Sequence, residues 1–151
     1  MRCKGALVSR LKEQHLKLCI DSKLESVAFM GAMVRAVASD MGFDDRSCFH
    51  VELAVIEAVN NAIDHAYRFR PEQQIIVLLN VREREIEFEV QDWGIPMPSG
   101  TLENALPSTM NGTNLSEGGR GLAIIQQIMD RVAYERRDGQ NILRMTKRRP
   151  A

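Results

Sequence analysis

Net charge, paired cysteine motifs and long apolar runs are what this 151-residue sequence lacks. Twenty basic and twenty acidic side chains cancel, so no global positive field points to nucleic acid and no acidic excess points to a disordered, solvating chain. The thiols are Cys3, Cys19 and Cys48. Their odd number and the lack of any CxxC or Cys/His spacing argue against a disulfide framework and a zinc site, and fit reduced thiols. No run approaches the roughly 20 apolar residues a membrane helix needs, and MRCKGALVSRLKEQ has no unbroken apolar core of the signal-peptide kind. The expectation is a cytoplasmic protein with neither membrane nor nucleic acid as partner. Repeats and linkers are absent too, so residues 1–151 read as one domain, long enough to bury a core unaided.

Periodicity supplies the elements. QHLKLCID (14–21) places Leu16, Leu18 and Ile20 on one side and Lys17 and Cys19 on the other, the spacing of a half-buried strand. Ser22 with Glu25 fits a capping box, and Leu24 to Met41 follow helical spacing up to Gly42, which predicts a helix over about 23–41. A second helix should start after Asp44 or Asp45 and run to about Tyr67, short of Pro71. QQIIVLLNV suits a central strand, and EIEFEVQD (85–92) alternates Glu and Gln against Ile86, Phe88 and Val90, so one face of that strand meets water. Residues 93–118 are rich in Pro, Gly, Ser, Thr and Asn, longer than an ordinary connection. Leu122, Ile125, Ile128, Met129 and Val132 then mark a helix opening on Gly118, Gly119 and Gly121. VAYERRDGQNILRMTK reads as two strands around Asp138-Gly139. The sum is an α+β fold: a two-layer sandwich with helices on one face of an open, mainly antiparallel sheet and solvent on the other. Met30, Met33 and Met129 read as core, His15 and His50 as surface, and the KRRP end as frayed.

Three stretches carry candidate chemistry. In ELAVIEAVNNAIDHAY (52–67), Glu57, Asn60, Asn61 and Asp64 fall on one helical stripe in an otherwise apolar segment. That stripe either faces solvent or walls a site, where an Asn amide can ligate a hard cation and a Glu can accept a proton. In DWGIPMP (92–98), Asp92 ends a strand before a sharp turn; it is either a turn residue or an exposed acceptor for an amine. In EGGRGLAII (117–125), three glycines at a helix start are either a hinge or an anion cradle.

Taken together and in this order, EAVNNAIDHAY, DWGIPMP and GGRGLAIIQQIMDRV resemble the N box and the two glycine boxes of the GHKL superfamily of ATP-binding domains. The resemblance spans about residues 15–147. Within the superfamily the chain is most similar to the small anti-sigma-factor serine kinases of the SpoIIAB and RsbW type. This implies the Bergerat form of the two-layer sandwich, with about three helices on one face, and an ATP lid over 97–117. It also implies ATP and Mg²⁺ as cofactors. Glu57 would be the general base on a substrate serine, Asn61 the Mg²⁺ ligand, and Asp64 and His65 further nucleotide contacts. Asp92 would hold the adenine amino group, with Gly94 allowing close approach of the base. Gly119, Arg120 and Gly121 would meet the phosphates, and Thr146 would lie near the adenine. The partners implied are a sigma factor and a STAS-type anti-anti-sigma protein, and relatives are often homodimers. Two positions depart from the usual pattern: Pro96 stands at the second glycine of the first box, and Glu117 stands where some relatives carry a basic residue. A binding module without catalysis and a nucleotide-hydrolysing switch are the rival readings.

Overall fold

The computed structural model describes residues 13–105 and 117–150, with backbone alone at 117 and 118. In chain order the elements are β1 (Gln14–Asp21), α1 (Leu24–Asp40), α2 (Asp45–Asn61), one π-helical turn (Ala62–Ala66), β2 (Gln74–Val81), β3 (Glu85–Asp92), a short α3 (Thr101–Asn104), α4 (Glu117–Ile128), β4 (Arg131–Arg137) and β5 (Gln140–Arg148). The strands form one sheet in the order β1-β2-β3-β5-β4, antiparallel at every step. Asp138 and Gly139, both at positive φ, make the tight turn between the last two strands. No helix among the described residues is long and apolar enough to cross a membrane.

Register decides which side chains meet the helices. Val77 pairs with Val90, Leu79 with Phe88 and Val81 with Ile86; across the next ladder Phe88 pairs with Met145 and Val90 with Leu143. These residues share one face and join Val34, Val51, Val55, Val59 and Ile125 of the helices in a single buried cluster. The opposite face carries Glu85, Glu87 and Glu89 against basic partners, with Arg131 at 2.7 Å from Glu85 and Arg144 at 3.1 Å from Glu89. The expected two-layer α+β architecture, with one face of β3 turned to water, is therefore what the chain adopts.

Several local expectations shift. Asp44 caps α2 as expected, its carboxylate accepting the Ser47 amide at 2.6 Å. Gly42, at φ 87°, closes α1 in the left-handed conformation. Ser22, however, does not cap α1, whose N-cap is Lys23 with no side-chain bond. The Ser22 hydroxyl donates to Arg70 O at 2.8 Å and accepts from Gln73 N at 3.2 Å, so it is committed to the loop before β2. Met33 is solvent-facing, about half exposed, because the buried stripe of α1 runs through Val27, Met30, Gly31, Val34 and Ala38. The fourth helix starts at Glu117, so its glycines lie inside its first turns, and it stops at Ile128. Val132 belongs to β4, opposite Met145, once the Asp130 amide has bonded Thr146 O and drawn the chain into the sheet.

Phe88 is fully buried at the centre of the sheet. Phe88→Ala is expected to lower unfolding free energy by about 3–5 kcal/mol, read as a shift of the urea midpoint at constant m.

Candidate functional site

The polar stripe of α2 ends where the helix changes type. After Asn61 the ladder widens into a single π turn, with Tyr67 N bonding Ala62 O, a local form often found at functional sites. The turn leaves Ala66 O free to accept the Ile95 amide at 2.9 Å, which docks the segment after β3 onto the end of α2. Gly94 makes that docking feasible, because a Cβ there would collide with the Ala66 carbonyl. Tyr67 adds a second clamp: its hydroxyl accepts from Trp93 N at 2.9 Å and donates to Gln74 O at 2.6 Å.

Asp92, at the tip of β3, is buried against two hydrogen-bond donors. Its Oδ1 accepts from Gly94 N at 2.9 Å and from Asn141 Nδ2 at 2.7 Å. Oδ2 has no partner among the described residues. Asn141 stands opposite Asp92 across the β3–β5 ladder. Its Nδ2 also donates to Gly94 O at 3.1 Å, and its Oδ1 accepts from the Tyr134 hydroxyl at 3.1 Å. Tyr134 in turn accepts the Met97 amide at 2.8 Å. Burial raises the Asp92 carboxyl above its ordinary range, and the Asn141 and Gly94 hydrogen bonds only partly oppose this.

Helix α4 closes the third side. A Cβ at Gly121 would stand 2.8 Å from Glu57 Oε2, 3.3 Å from Asn61 Oδ1 and 3.4 Å from Asn61 Nδ2. Glycine therefore lets α4 lie directly on the two polar side chains of α2. Asn61 Nδ2 is buried without a hydrogen-bond partner, as is Asn60 Oδ1. An amide held that way beside a carboxylate is available to a ligand, and its oxygen and nitrogen exchange places by a simple rotation.

These elements enclose a cavity of about 550 Å³. Asn61, Asp64, His65, Asp92 and Gly119 line it, together with Pro96, Tyr134 and Asn141. Five of the residues expected from the sequence thus converge on one space. Glu57 and Gly121 adjoin Asn61 and are not among the residues that line the cavity. Gly94 serves the packing against Ala66 and does not line the cavity; Arg120 is exposed and does not line it either. Asn60 is likewise off the wall. Thr146 is a correction. It pairs with Glu87 and Arg131, so it points to the open face, away from the helices and the cavity. The β5 residue beside Asp92 is Asn141, which sequence reasoning missed along with Tyr134; the Asp138-Gly139 turn sets only the register of β4 with β5, and it is the pairing of β5 with β3 that brings Asn141 to Asp92. Of the segment 97–117 expected as a lid, residues 106–116 lie outside the described residues, as does Cys3.

Comparison with known proteins decides the family. Residues 20–147 match the histidine kinase-like ATPase domain. Serine-protein kinase RsbW of Bacillus mycoides (strain KBAB4) is 30% identical over 139 residues, covering 90% of this chain and 86% of its own. Serine-protein kinase RsbW of Bacillus velezensis is 31% identical over 136 residues, covering 88% and 84%. The chain belongs to the histidine kinase-like ATPase family. The fold agrees: the crystal structure of the RsbU and RsbW domains of Rv1364c from Mycobacterium tuberculosis superposes with a TM-score of 0.60 at 17% identity, over 91% of this chain and 34% of that one. Within this ATPase domain, then, the cavity lies between the end of α2, the tip of β3 and the start of α4.

The Asp92 carboxyl sets a pH dependence. A folded-state pKa raised by burial means the folded domain holds its proton where the unfolded chain has lost it. The associated stability is present below the ordinary carboxylate range and is lost as pH rises through the raised value. Asp92→Asn is expected to remove that downward step and to raise stability at neutral pH. Urea unfolding of wild type and variant across a pH series checks both.

Proposed function

We propose that this chain is an ATP- and Mg²⁺-dependent protein serine/threonine kinase that acts as an anti-sigma factor in the cytoplasm. It phosphorylates a STAS-type anti-anti-sigma protein and exchanges that partner for the sigma factor according to nucleotide and phosphorylation state. The observation that supports this best is the convergence on one cavity of the Asn61 amide, backed by Glu57, the Asp92 carboxylate and the glycine-bearing start of α4. The relatives named as serine-protein kinases support the reaction type. The sigma factor and its antagonist come from the family resemblance.

In this reading Asp92 Oδ2 accepts the 6-amino group of adenine, with Val90, Leu143 and Pro96 flanking the base. The first turn of α4, which reaches the cavity at Gly119, would offer its backbone amides to the phosphates. Arg120 follows at the exposed rim. Glu57 takes the proton of the substrate serine hydroxyl as its oxygen bonds the γ-phosphorus and the bond to the β-phosphate oxygen breaks, releasing ADP. Asn61, on the cavity wall, would hold Mg²⁺ through its amide oxygen, a hard donor suited to that ion, and the ion would supply neutralisation of charge developing on the phosphates. Among the described residues no cluster of three or more His, Cys, Asp or Glu side chains is placed to bind a metal. A magnesium ion shared with phosphates requires none.

The test is phosphoryl transfer from γ-labelled ATP with Mg²⁺ to a candidate STAS protein. Wild type should label it, and Glu57→Ala should lose about 10²-fold or more in rate while still binding ATP. Transfer that survives Glu57→Ala would refute the assigned base. ATP binding without transfer would favour a binding module, and phosphate release without a phosphoprotein a hydrolytic switch.

A further inference from the structure

We infer that Tyr134, acting through Asn141, fixes Asp92 as a hydrogen-bond acceptor and thereby makes the cavity select a 6-amino purine over a 6-oxo purine. The inference rests on the nucleotide-binding reading and assigns positioning roles to two residues on the β4–β5 hairpin.

The direction of each hydrogen bond carries the argument. The Tyr134 oxygen accepts the Met97 amide, so its single proton is free for one acceptor, Asn141 Oδ1 at 3.1 Å. That contact turns Asn141 Nδ2 toward two acceptors, Asp92 Oδ1 at 2.7 Å and Gly94 O at 3.1 Å. The reversed amide would set Oδ1 against both oxygens and Nδ2 against a hydroxyl proton. One orientation alone satisfies the whole chain. Asn141 and Asp92 are both buried, at 2% and 8% exposure, so water does not substitute for a lost member at little cost.

The polarity matters because burial pushes the Asp92 carboxyl toward its protonated form. The donors on Oδ1 favour the ionised form, which leaves Oδ2 as the remaining acceptor of a residue that lines the cavity. An exocyclic amine supplies the matching proton. A 6-oxo group presents a second acceptor and is rejected, in the way that sites built for a hydrogen bond reject the analogue lacking it. If Asn141 is free to reverse, its oxygen beside Asp92 favours the protonated carboxyl, which donates to a 6-oxo group. Tyr134 thus influences base choice without touching the 6-position itself.

Binding of ATP and of inosine triphosphate to the purified chain, measured by calorimetry with Mg²⁺, tests this. Wild type should prefer ATP. Tyr134→Phe removes only the hydroxyl and should narrow the ATP to inosine triphosphate affinity ratio roughly tenfold, ATP losing more than its analogue. Asn141→Leu should narrow it at least as far. Thermal unfolding identifies variants that have lost the fold, and the conservative Tyr134→Phe keeps the test open if Asn141→Leu is one of them. An unchanged ratio in folded Tyr134→Phe, or equal losses for both nucleotides, would overturn the inference alone. So would equal affinity of wild type for the two. A wild type that binds neither nucleotide would overturn the nucleotide-binding reading as well.

Discussion

The site depends on how closely α4 lies against α2. At Gly121 a Cβ would come within 2.8 Å of the Glu57 carboxylate and 3.3 Å of the Asn61 amide. A side chain there would turn the Glu57 carboxylate aside and crowd Asn61. The contact links two levels of organisation. The same packing that buries Leu122 and Ile125 in the core leaves Asn61 Nδ2 buried and unpaired on the cavity wall. A buried amide without a partner costs free energy in the free protein. Such a cost is usual where a ligand is to supply the missing bond.

A second close approach organises the other end of the cavity. The π turn at Ala62–Ala66 presents a carbonyl that ordinary helix termination would leave to water, and the DWG segment covers it through the Ile95 amide. The glycine expected to admit a base against the backbone instead admits the backbone against Ala66. Proline at position 96 fits this arrangement, since its ring forms part of the cavity wall and no amide is required of it. The neighbouring loop is strained, with Arg68, Phe69 and Glu72 at positive φ. Arg68 sits at the cavity rim, where strain of this kind tends to collect.

Much of this was legible in the sequence because it depends on local spacing. Glu57 and Asn61 are one helical turn apart, and Asp92 ends an alternating strand, so their neighbourhoods follow from period alone. Core positions such as Phe88 and Ile125 were equally plain. What escaped notice depends on pairing across the sheet. Thr146 and Asn141 lie on the same strand, five positions apart, and odd spacing places them on opposite faces. Only the register with β3 reveals which of them meets Asp92. The π turn and the diversion of Ser22 to the β2 loop are likewise tertiary effects that local sequence does not encode. The end of α4 belongs with them, because Val132 satisfies a helical period and a strand period equally well and the Asp130 bond to Thr146 O decides between them.

The Asp138–Gly139 corner offers a practical opening. A side chain at Gly139 would have open space but a strained backbone at φ 79°, whereas the adjoining Asp138 already carries an exposed side chain, and Asn141, three residues on, is bonded directly to Asp92. A dye attached at position 138 would therefore burden no packing while sitting a few residues from the cavity. The hairpin is a natural mounting point for an optical sensor of cavity occupancy.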